Sequence, residues 1–531
     1  MTKGAQESTP MSADLAFGAY TDDGPWQLGA PENLTWRRGL RAVRRRVDAQ
    51  VPLLTRRRLF PPARRIGSVT WQLGRAVIGW RFREHTTAGL ARRLREAAEA
   101  LGPTYIKLGQ IISSGEGIFP EDLVAEFRKC RDQVPPVSFE DVERVITEEF
   151  GCELGELFAE FERTPIAAAS IAQVHAATLA TGEEVVVKVQ RPGVATLVRR
   201  DLRVMAWIAP LLVGRIPIAA LANPPALVEL FAETIVEELD FRLEAENMLD
   251  IARDLADLDE RGWVIPRPHP ELVTPRVLVM ERIHGYPFGD AESIIDAGID
   301  TRNIIRTGMI AFLEGCMLKG IFHGDLHSGN LLVMADGRTA LLDFGITGRL
   351  DTSHRLAFLQ LVMSATANNL EGQITALRDL GALPADTDVA AVISELGLDQ
   401  PAVDVTEMSP EALTGEMQRV VKALLGMGAR MPKDLMLFIK NMVFLDGAIA
   451  TLAPDLDLFA ELAEITAAFT TRHSEQLNRD LGAIMSGWSM DLDGLKAGYG
   501  VDPTVTDSLT YRELQDRRAL IRKRLARSRK G

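Results

Sequence analysis

The residues of this chain best suited to chemistry lie in the stretch His323-Gly324-Asp325-Leu326-His327-Ser328-Gly329-Asn330 and in the triplet Asp343-Phe344-Gly345. Asn330 follows Asp325 by five positions, and Asp343 follows it by 18. A carboxylate, an amide and a second carboxylate in that order supply what phosphoryl transfer from a nucleotide requires. Mg²⁺ takes hard oxygen ligands, and a further carboxylate must sit beside the hydroxyl or water that attacks the γ-phosphate. Asp343 and Asn330 are the candidate metal ligands, and Asp325 is the candidate base or the group that orients the nucleophile. Either triplet alone reads equally as a turn, because Gly and Asp gather between strands for local backbone reasons. Here the apolar runs Leu331-Leu332-Val333 and Ala340-Leu341-Leu342 bracket Asp336-Gly337, a hairpin pattern with one motif at each open end.

Those parts must be positioned by other elements. Val185-Val186-Val187-Lys188-Val189 is a strand-like apolar run holding one lysine. As an isolated pentapeptide it reads as an edge strand with a solvated lysine. In kinase-like architecture a strand lysine contacts the α- and β-phosphates of ATP and pairs with a glutamate on a helix. Upstream, where a glycine-rich loop covers the phosphates in protein kinases, this chain has Pro165-Ile166-Ala167-Ala168-Ala169-Ser170-Ile171-Ala172-Gln173-Val174-His175. Alanine reaches positive φ less cheaply than glycine, so Ala167, Ala168, Ala169 and Ser170 predict a stiffer loop over the phosphates.

Lys107-Leu108-Gly109-Gln110, the alanine loop, Glu238-Leu239-Asp240 and the two elements above occur in that order. The chain thereby resembles the UbiB/AarF family of atypical kinases, whose signatures are KxGQ, an alanine-rich loop, ExD, HxD and DFG. The resemblance covers about Leu101 to Gly348. It implies an α+β, bilobal protein-kinase-like fold with an N-terminal helical KxGQ extension, and the use of ATP and Mg²⁺. It places Lys107, Gln110, Glu238 and Asp240 around the nucleotide and makes Glu244 the partner of Lys188. Two departures stand out. After KxGQ the family has an arginine and then an aspartate, whereas this chain has Gly115 and Gly117 between Ser113 and Pro120. Leu326 and Ser328 replace family prolines, which frees two φ angles and removes no metal ligand.

Helical spacing gives the unusual motifs a shared place. Lys107 and Gln110 are three apart, and Asp240 and Glu244 four apart, so on helices each pair shares a face. A lysine and a carboxylate cluster are thus able to meet over the nucleotide. Taken alone, KxGQ reads as an amphipathic helix with Lys107 in solvent. The acids Glu233, Glu237, Glu238, Asp240, Glu244 and Glu246 likewise read as a solvated acidic helix face.

The predicted organisation is a polar, disordered start to about Gln27 and a basic segment, together 1–85, then a helical KxGQ region over 86–163. A kinase-like N-lobe follows over 164–285, a largely helical C-lobe over 286–480 and a polar basic tail over 481–531. Val277-Leu278-Val279-Met280 reads as the strand that enters a hinge, placing Glu281 and Arg282 beside an adenine. No APE element follows DFG, so a peptide-docking platform is not evident.

At 531 residues, 46% hydrophobic and 25% charged, the chain is able to bury a sizeable core, which excludes a disordered protein. Cys130, Cys152 and Cys316 have no metal-ligand spacing, and their odd number argues against a disulfide framework and for a reducing compartment. The net charge of −13 is unevenly spread: Arg37 to Arg65 holds 11 arginines and one acid, Asp48. Such a segment suits an anionic membrane surface or an acidic partner, and it reads equally as a solvated basic arm. The end, Arg512 to Lys530, is also basic, but no nucleic-acid recognition motif accompanies either stretch, and no nucleic-acid partner is expected. The first 30 residues lack the pattern of a cleavable signal, so a cytoplasmic protein is expected. The apolar run Val204 to Ala222 holds Arg215, Pro210 and Pro217 and reads as a packed element, which leaves any membrane contact peripheral.

The expectation is an ATP-dependent atypical kinase or ATPase. A link to isoprenoid-quinone or other lipid metabolism, with a lipid or quinone-precursor ligand, is implied by the resemblance alone. The competing expectation is a nucleotide-binding pseudokinase that acts as a regulatory scaffold on a membrane-associated complex. The full set Lys188, Glu244, Asp325, Asn330 and Asp343 speaks against it, since a scaffold has no chemical need for all five.

Overall fold

The computed structural model describes residues 19–22, 24–56, 63–83, 86–113, 119–130, 135–212, 224–398, 419–420, 423–424, 426–482, 488–499, 501 and 508–528. Gly115 and Gly117, and Arg215 and Pro217 of the apolar run, lie outside them. The chain forms two compact units, one of Met1–Asp257, Val264–His284 and Ala340–Ile346, the other of Leu258–Trp263, Gly285–Thr339 and Thr347–Gly531.

The first unit is built on an antiparallel sheet. Strands β1 (Phe158–Phe161), β3 (Ala172–Leu179), β4 (Glu184–Gln190), β7 (Val277–Glu281) and β6 (Pro268–Val273) follow one another across it, and β2 (Ala167–Ala168) pairs with β3. The two-residue strand β5 (Trp263–Val264) lies where the chain passes between units. Val185, Val187 and Val189 of β4 pack with Val142, Val145 and Ile146 of helix α6 (Phe139–Phe150). Each of those buried valines is worth about 1.5–3 kcal/mol of transfer free energy. Because side chains alternate along a strand, Lys188 between Val187 and Val189 must project from the opposite face of the sheet. Phe158–Phe161, expected to be helical, is a strand, because Phe158 joins this core and the segment pairs with β3.

The helices ahead of the sheet are α1 (Leu40–Thr55), α2 (Ala63–Arg83), α3 (Thr87–Leu101), α4 (Pro103–Ser113), α5 (Glu121–Phe127) and α6, with the single turn α7 (Leu154–Leu157). After β4 come α8 (Val194–Leu212), α9 (Pro224–Glu237) and α10 (Phe241–Asp257). Val204, Met205, Ala206, Ile208 and Ala209 of α8 are buried, as a packed element requires.

Two expectations for the N-terminal region are corrected. The start is ordered from Ala19: Ala19 N–H donates to Ala252 O at 2.9 Å, Ile265 N–H donates to Ala19 O at 3.1 Å, and Tyr20 is 3% exposed. Trp26 Nε1 donates to Pro268 O at 3.1 Å, so two aromatic residues anchor a segment whose Asp and Gly content reads as disordered. The apolar side of α1, formed by Leu40, Val47, Val51 and Leu54, is buried in the protein and does not face solvent. Arg44 pairs with Glu246 at 3.2 Å and Glu237 at 3.9 Å, and Arg37 lies 3.7 Å from Asp250. Part of the acidic partner suited to these arginines is therefore the chain's own α9 and α10, and that acidic face is not simply solvated.

In the second unit α11 (Thr301–Glu314) runs into a π-helical turn, Gly315–Lys319, ahead of strand β9 (Ile321–His323). Strand β8 (Tyr286–Pro287) pairs with β10 (Leu331–Val333), and β9 with β12 (Thr347–Arg349). Between them, β11 (Thr339–Leu341) follows the Asp336-Gly337 turn, which closes with Met334 N–H on Arg338 O at 2.8 Å. Gly337 sits there at φ 87°, a conformation that favours glycine. The helix α12 (Lys433–Leu452) spans 20 residues with a mean hydropathy of 1.6. It is the one helix among the described residues long and apolar enough to cross a membrane, yet half of it is buried inside the protein.

Candidate active site

In the first unit, a strand lysine, a helix glutamate and a loop aspartate converge. Lys188 Nζ lies 2.7 Å from Glu244 Oε1 and 3.0 Å from Asp343 Oδ2. The alternation of β4 aims the lysine, and the first turn of α10 supplies the glutamate. Residue Asn247, three positions beyond Glu244 on the same helix face, donates from Nδ2 to Phe344 O at 2.9 Å. Glu244 Oε1 accepts from Phe344 N–H at 3.4 Å, and Asp343 Oδ1 accepts from Gly345 N–H at 2.9 Å. Phe344 is fully buried. Helix α10 therefore grips the DFG triplet at both ends of the Phe344 peptide unit.

The charges follow from this crowding. Burial works against the Lys188 ammonium, but Asp343 and Glu244 outweigh it and hold its pKa well above the usual lysine value. Burial pushes Glu244 up to about 7, even with Lys188 beside it. Burial also opposes the Asp343 carboxylate, yet the charges of Lys188 and Lys107 keep it ionised well below the usual range. The cluster carries one strongly acidic carboxylate and one poised near neutrality.

Lys107 Nζ lies 3.0 Å from Glu238 Oε1, with both side chains largely buried. Burial raises the Glu238 pKa and Lys107 opposes the shift. Gln110 lies on the same helix α4. The glycine between them has a packing reason: a Cβ on Gly109 would fall 2.5 Å from Phe127 Cδ1 of α5.

Asp240 does not share a helix face with Glu244, as its spacing predicts. It lies in the link between α9 and α10. Its carboxylate is taken by Arg242, at 2.7 Å from Nη2 and 2.9 Å from Nε, because the helix begins only at Phe241. Glu281 ends β7, but its carboxylate accepts from Thr21 Oγ1 and from Arg267 N–H at 3.0 Å. The Glu281 carboxylate is thus occupied within the unit, and burial raises its pKa against those bonds. Arg282 Nη1 lies 3.7 Å from Glu184 Oε1.

The alanine loop is the β2–β3 turn, closed by Ala169 N–H on Ala172 O at 2.8 Å. Ala167 and Ala169 are exposed, and Ser170 is buried. Among the described residues only Asp259 and Asn368 are non-glycine residues at positive φ, so this turn needs no glycine. Arg191, a buried residue whose role the sequence does not reveal, ties the loop down. Its Nε donates to Ala169 O at 2.8 Å, its Nη1 to Pro135 O at 2.9 Å and its N–H to Ile171 O at 2.9 Å.

In the second unit, Asn330 Nδ2 donates to Asp325 O at 3.0 Å, so the amide oxygen is the atom this bond leaves for other work. His323 Nδ1 accepts from Asp325 N–H at 3.1 Å. Two residues of α12 that sequence reasoning passed over hold the loop: Lys440 Nζ pairs with Asp325 Oδ1, and Asn441 bridges main-chain groups of the loop. The signal was present, since Lys440-Asn441 interrupts the apolar run Leu435-Met436-Leu437-Phe438-Ile439 and Met442-Val443-Phe444-Leu445.

A lysine–glutamate pair on strand and helix, a DFG aspartate beside it and an HxD loop with its asparagine define a protein-kinase-like fold. The model of the ABC1 atypical kinase-like domain matches residues 129–376. The chain is 34% identical over 445 residues to protein Rv0647c of Mycobacterium tuberculosis, covering 82% of this chain and 89% of that one. It is 32% identical to a probable protein kinase UbiB of Pseudomonas putida, over 73% of this chain and 72% of that one. It is also 34% identical to the chloroplastic protein ACTIVITY OF BC1 COMPLEX KINASE 1 of Arabidopsis thaliana, over 70% of this chain and 54% of that one. A solved complex of Rv3197 with erythromycin from Mycobacterium tuberculosis matches 62% of this chain and 89% of that chain at 24% identity, with a TM-score of 0.36 too low to compare structures. The chain belongs to the ABC1, or UbiB/AarF, family of atypical kinases.

Proposed function

We propose that this protein is an active ATP-dependent phosphotransferase or ATPase of the UbiB type. The observation that supports this most is the contact of Lys188 with both Glu244, at 2.7 Å, and Asp343, at 3.0 Å. It keeps a buried cation and an ionised carboxylate ready for a charged ligand. Glu244 orients Lys188 for the α- and β-phosphates, and the alanine loop, fixed by Arg191, lies over them. Lys107 and Glu238 form a further charged pair on the same unit, with Gln110 on the helix of Lys107, Asp240 adds a carboxylate locked by Arg242, and Glu281 contributes main-chain atoms to the adenine.

Asp343, in the first unit, offers a carboxylate oxygen and Asn330, in the second, an amide oxygen, the hard donors that suit Mg²⁺. Bound Mg²⁺ would supply neutralisation of the charge that develops on the phosphates. Asp325 orients the attacking hydroxyl or water and takes its proton. The new O–P bond forms as the bond to the bridging oxygen breaks, and that electron pair leaves on ADP.

The acceptor class we favour is small or lipid-like, because no APE element follows DFG, and the relatives named UbiB make a quinone-related substrate the first to try. The test is Mg²⁺-dependent release of phosphate or transfer of radiolabel, scored with water, lipid extracts and a generic protein as acceptors. Transfer to the generic protein at the rate of total ATP turnover would overturn the acceptor class. Nucleotide binding with no turnover under any condition would overturn the enzyme reading and leave the scaffold.

A further inference from the structure

Asp325 is held by a cation that the catalytic loop itself does not contain. Between Asp325 and Asn330 the loop offers His327 and no lysine or arginine. The ammonium comes instead from Lys440, 115 positions downstream on α12, and pairs with Asp325 Oδ1. The two side chains are only 14% and 17% exposed, so the attraction acts in a poorly screened environment.

The neighbouring residue shows that this pairing is not simply how the loop is anchored. Asn441, fully buried, donates from Nδ2 to His323 O and accepts at Oδ1 from Leu326 N–H at 3.0 Å. Those two bonds clamp the loop's main chain on either side of Asp325, and Leu326 is buried against the unit. Placing the loop is therefore the work of Asn441. Lys440 pairs instead with the side-chain carboxylate, at Oδ1. With its side chain only 14% exposed, the Lys440 cation carries a desolvation cost that a purely packing role would not require.

We propose that Lys440 is a positioning residue for phosphoryl transfer. It holds Asp325 at Oδ1 and so sets how the carboxylate is presented to the attacking oxygen. The inference rests on the function proposed above. It makes the apolar helix α12 a part of the catalytic apparatus through the polar pair Lys440-Asn441.

The test compares Mg²⁺-dependent ATP turnover and ATP binding by wild type, Lys440→Met, Lys440→Arg, Asp325→Asn and the double variant Lys440→Met/Asp325→Asn. Methionine keeps the apolar stem of the side chain, so thermal unfolding reports whether α12 still packs. The expected result is a fall of about 100-fold in kcat for Lys440→Met, with KM and Kd for ATP within about twofold of wild type. Arginine restores activity to within about tenfold of wild type, and Lys440→Met adds nothing to Asp325→Asn because both act on one group. Turnover in wild type that Lys440→Met leaves unchanged, or losses that multiply in the double variant, would overturn the inference and leave the function intact. A wild-type protein without turnover would overturn both.

Discussion

Lys107 Nζ lies 3.0 Å from Glu238 Oε1, and this largely buried pair ties the KxGQ helix to the turn that leaves α9. Removing one partner leaves the other charge buried, which costs about 3–5 kcal/mol. Lys107→Met should therefore destabilise the protein by about 3 kcal/mol or more in urea unfolding. Adding Glu238→Leu should recover part of that loss, because the pair disappears together. Additive losses in the double-mutant cycle would show that the two side chains do not act as a pair.

Glu244 gives a pH signature. Burial raises its folded pKa to about 7, above the ordinary glutamate value of 4.5. A raised acid pKa means the native state binds this proton more tightly than the unfolded chain. Its stabilising contribution is complete below pH 4.5 and is lost as the pH rises through about 7. Relative to Glu244→Gln, whose side chain does not titrate, the wild type should gain unfolding free energy as the pH falls from about 8 to 5.5, by up to about 1.4 kcal/mol per pH unit. Parallel stability curves for the two proteins would place the titration elsewhere.

The same proton weakens the partner of Lys188. Turnover by wild type should decline as Glu244 takes up its proton below about pH 7. Glu244→Gln should be slower by roughly 10²-fold at pH 8 and should lack that acidic limb. A pH–rate profile with an unchanged acidic limb in the variant would contradict this assignment.

How much of this was legible in the sequence depends on the range of each interaction. Lys188 and its strand were legible because alternation over five residues both buries the valines and aims the lysine. The DFG and HxD elements carry their chemistry in contiguous residues. Asp240 was misplaced because a spacing of four implies one helix face only if the helix has already begun, and it begins at Phe241. Thr21 and Arg267 took the Glu281 carboxylate over separations of 260 and 14 residues, and Lys440 reached Asp325 over 115. No local pattern encodes such partners. The strand Phe158–Phe161 was missed for a related reason, since four residues following helices acquire their identity from pairing with β3.

Gly109 supplies a packing test of the KxGQ helix. With Phe127 Cδ1 lying 2.5 Å from where a Cβ would stand, Gly109→Ala forces α4 and α5 apart and should cost about 1–3 kcal/mol. Phe127→Leu in the same chain should return part of that stability. An unchanged unfolding midpoint for Gly109→Ala would mean the two helices yield freely at this contact.

The most direct test of the central claim is Mg²⁺-dependent ATP turnover by the purified protein beside Asp343→Asn, with and without anionic liposomes. Asparagine keeps the shape of the side chain and its acceptor for Gly345 N–H, but removes the charge that faces Lys188 and would face the metal. The account predicts turnover in wild type and a loss of at least about 100-fold in Asp343→Asn. Equal turnover in the two proteins, or none in wild type under either condition while nucleotide still binds, would contradict it.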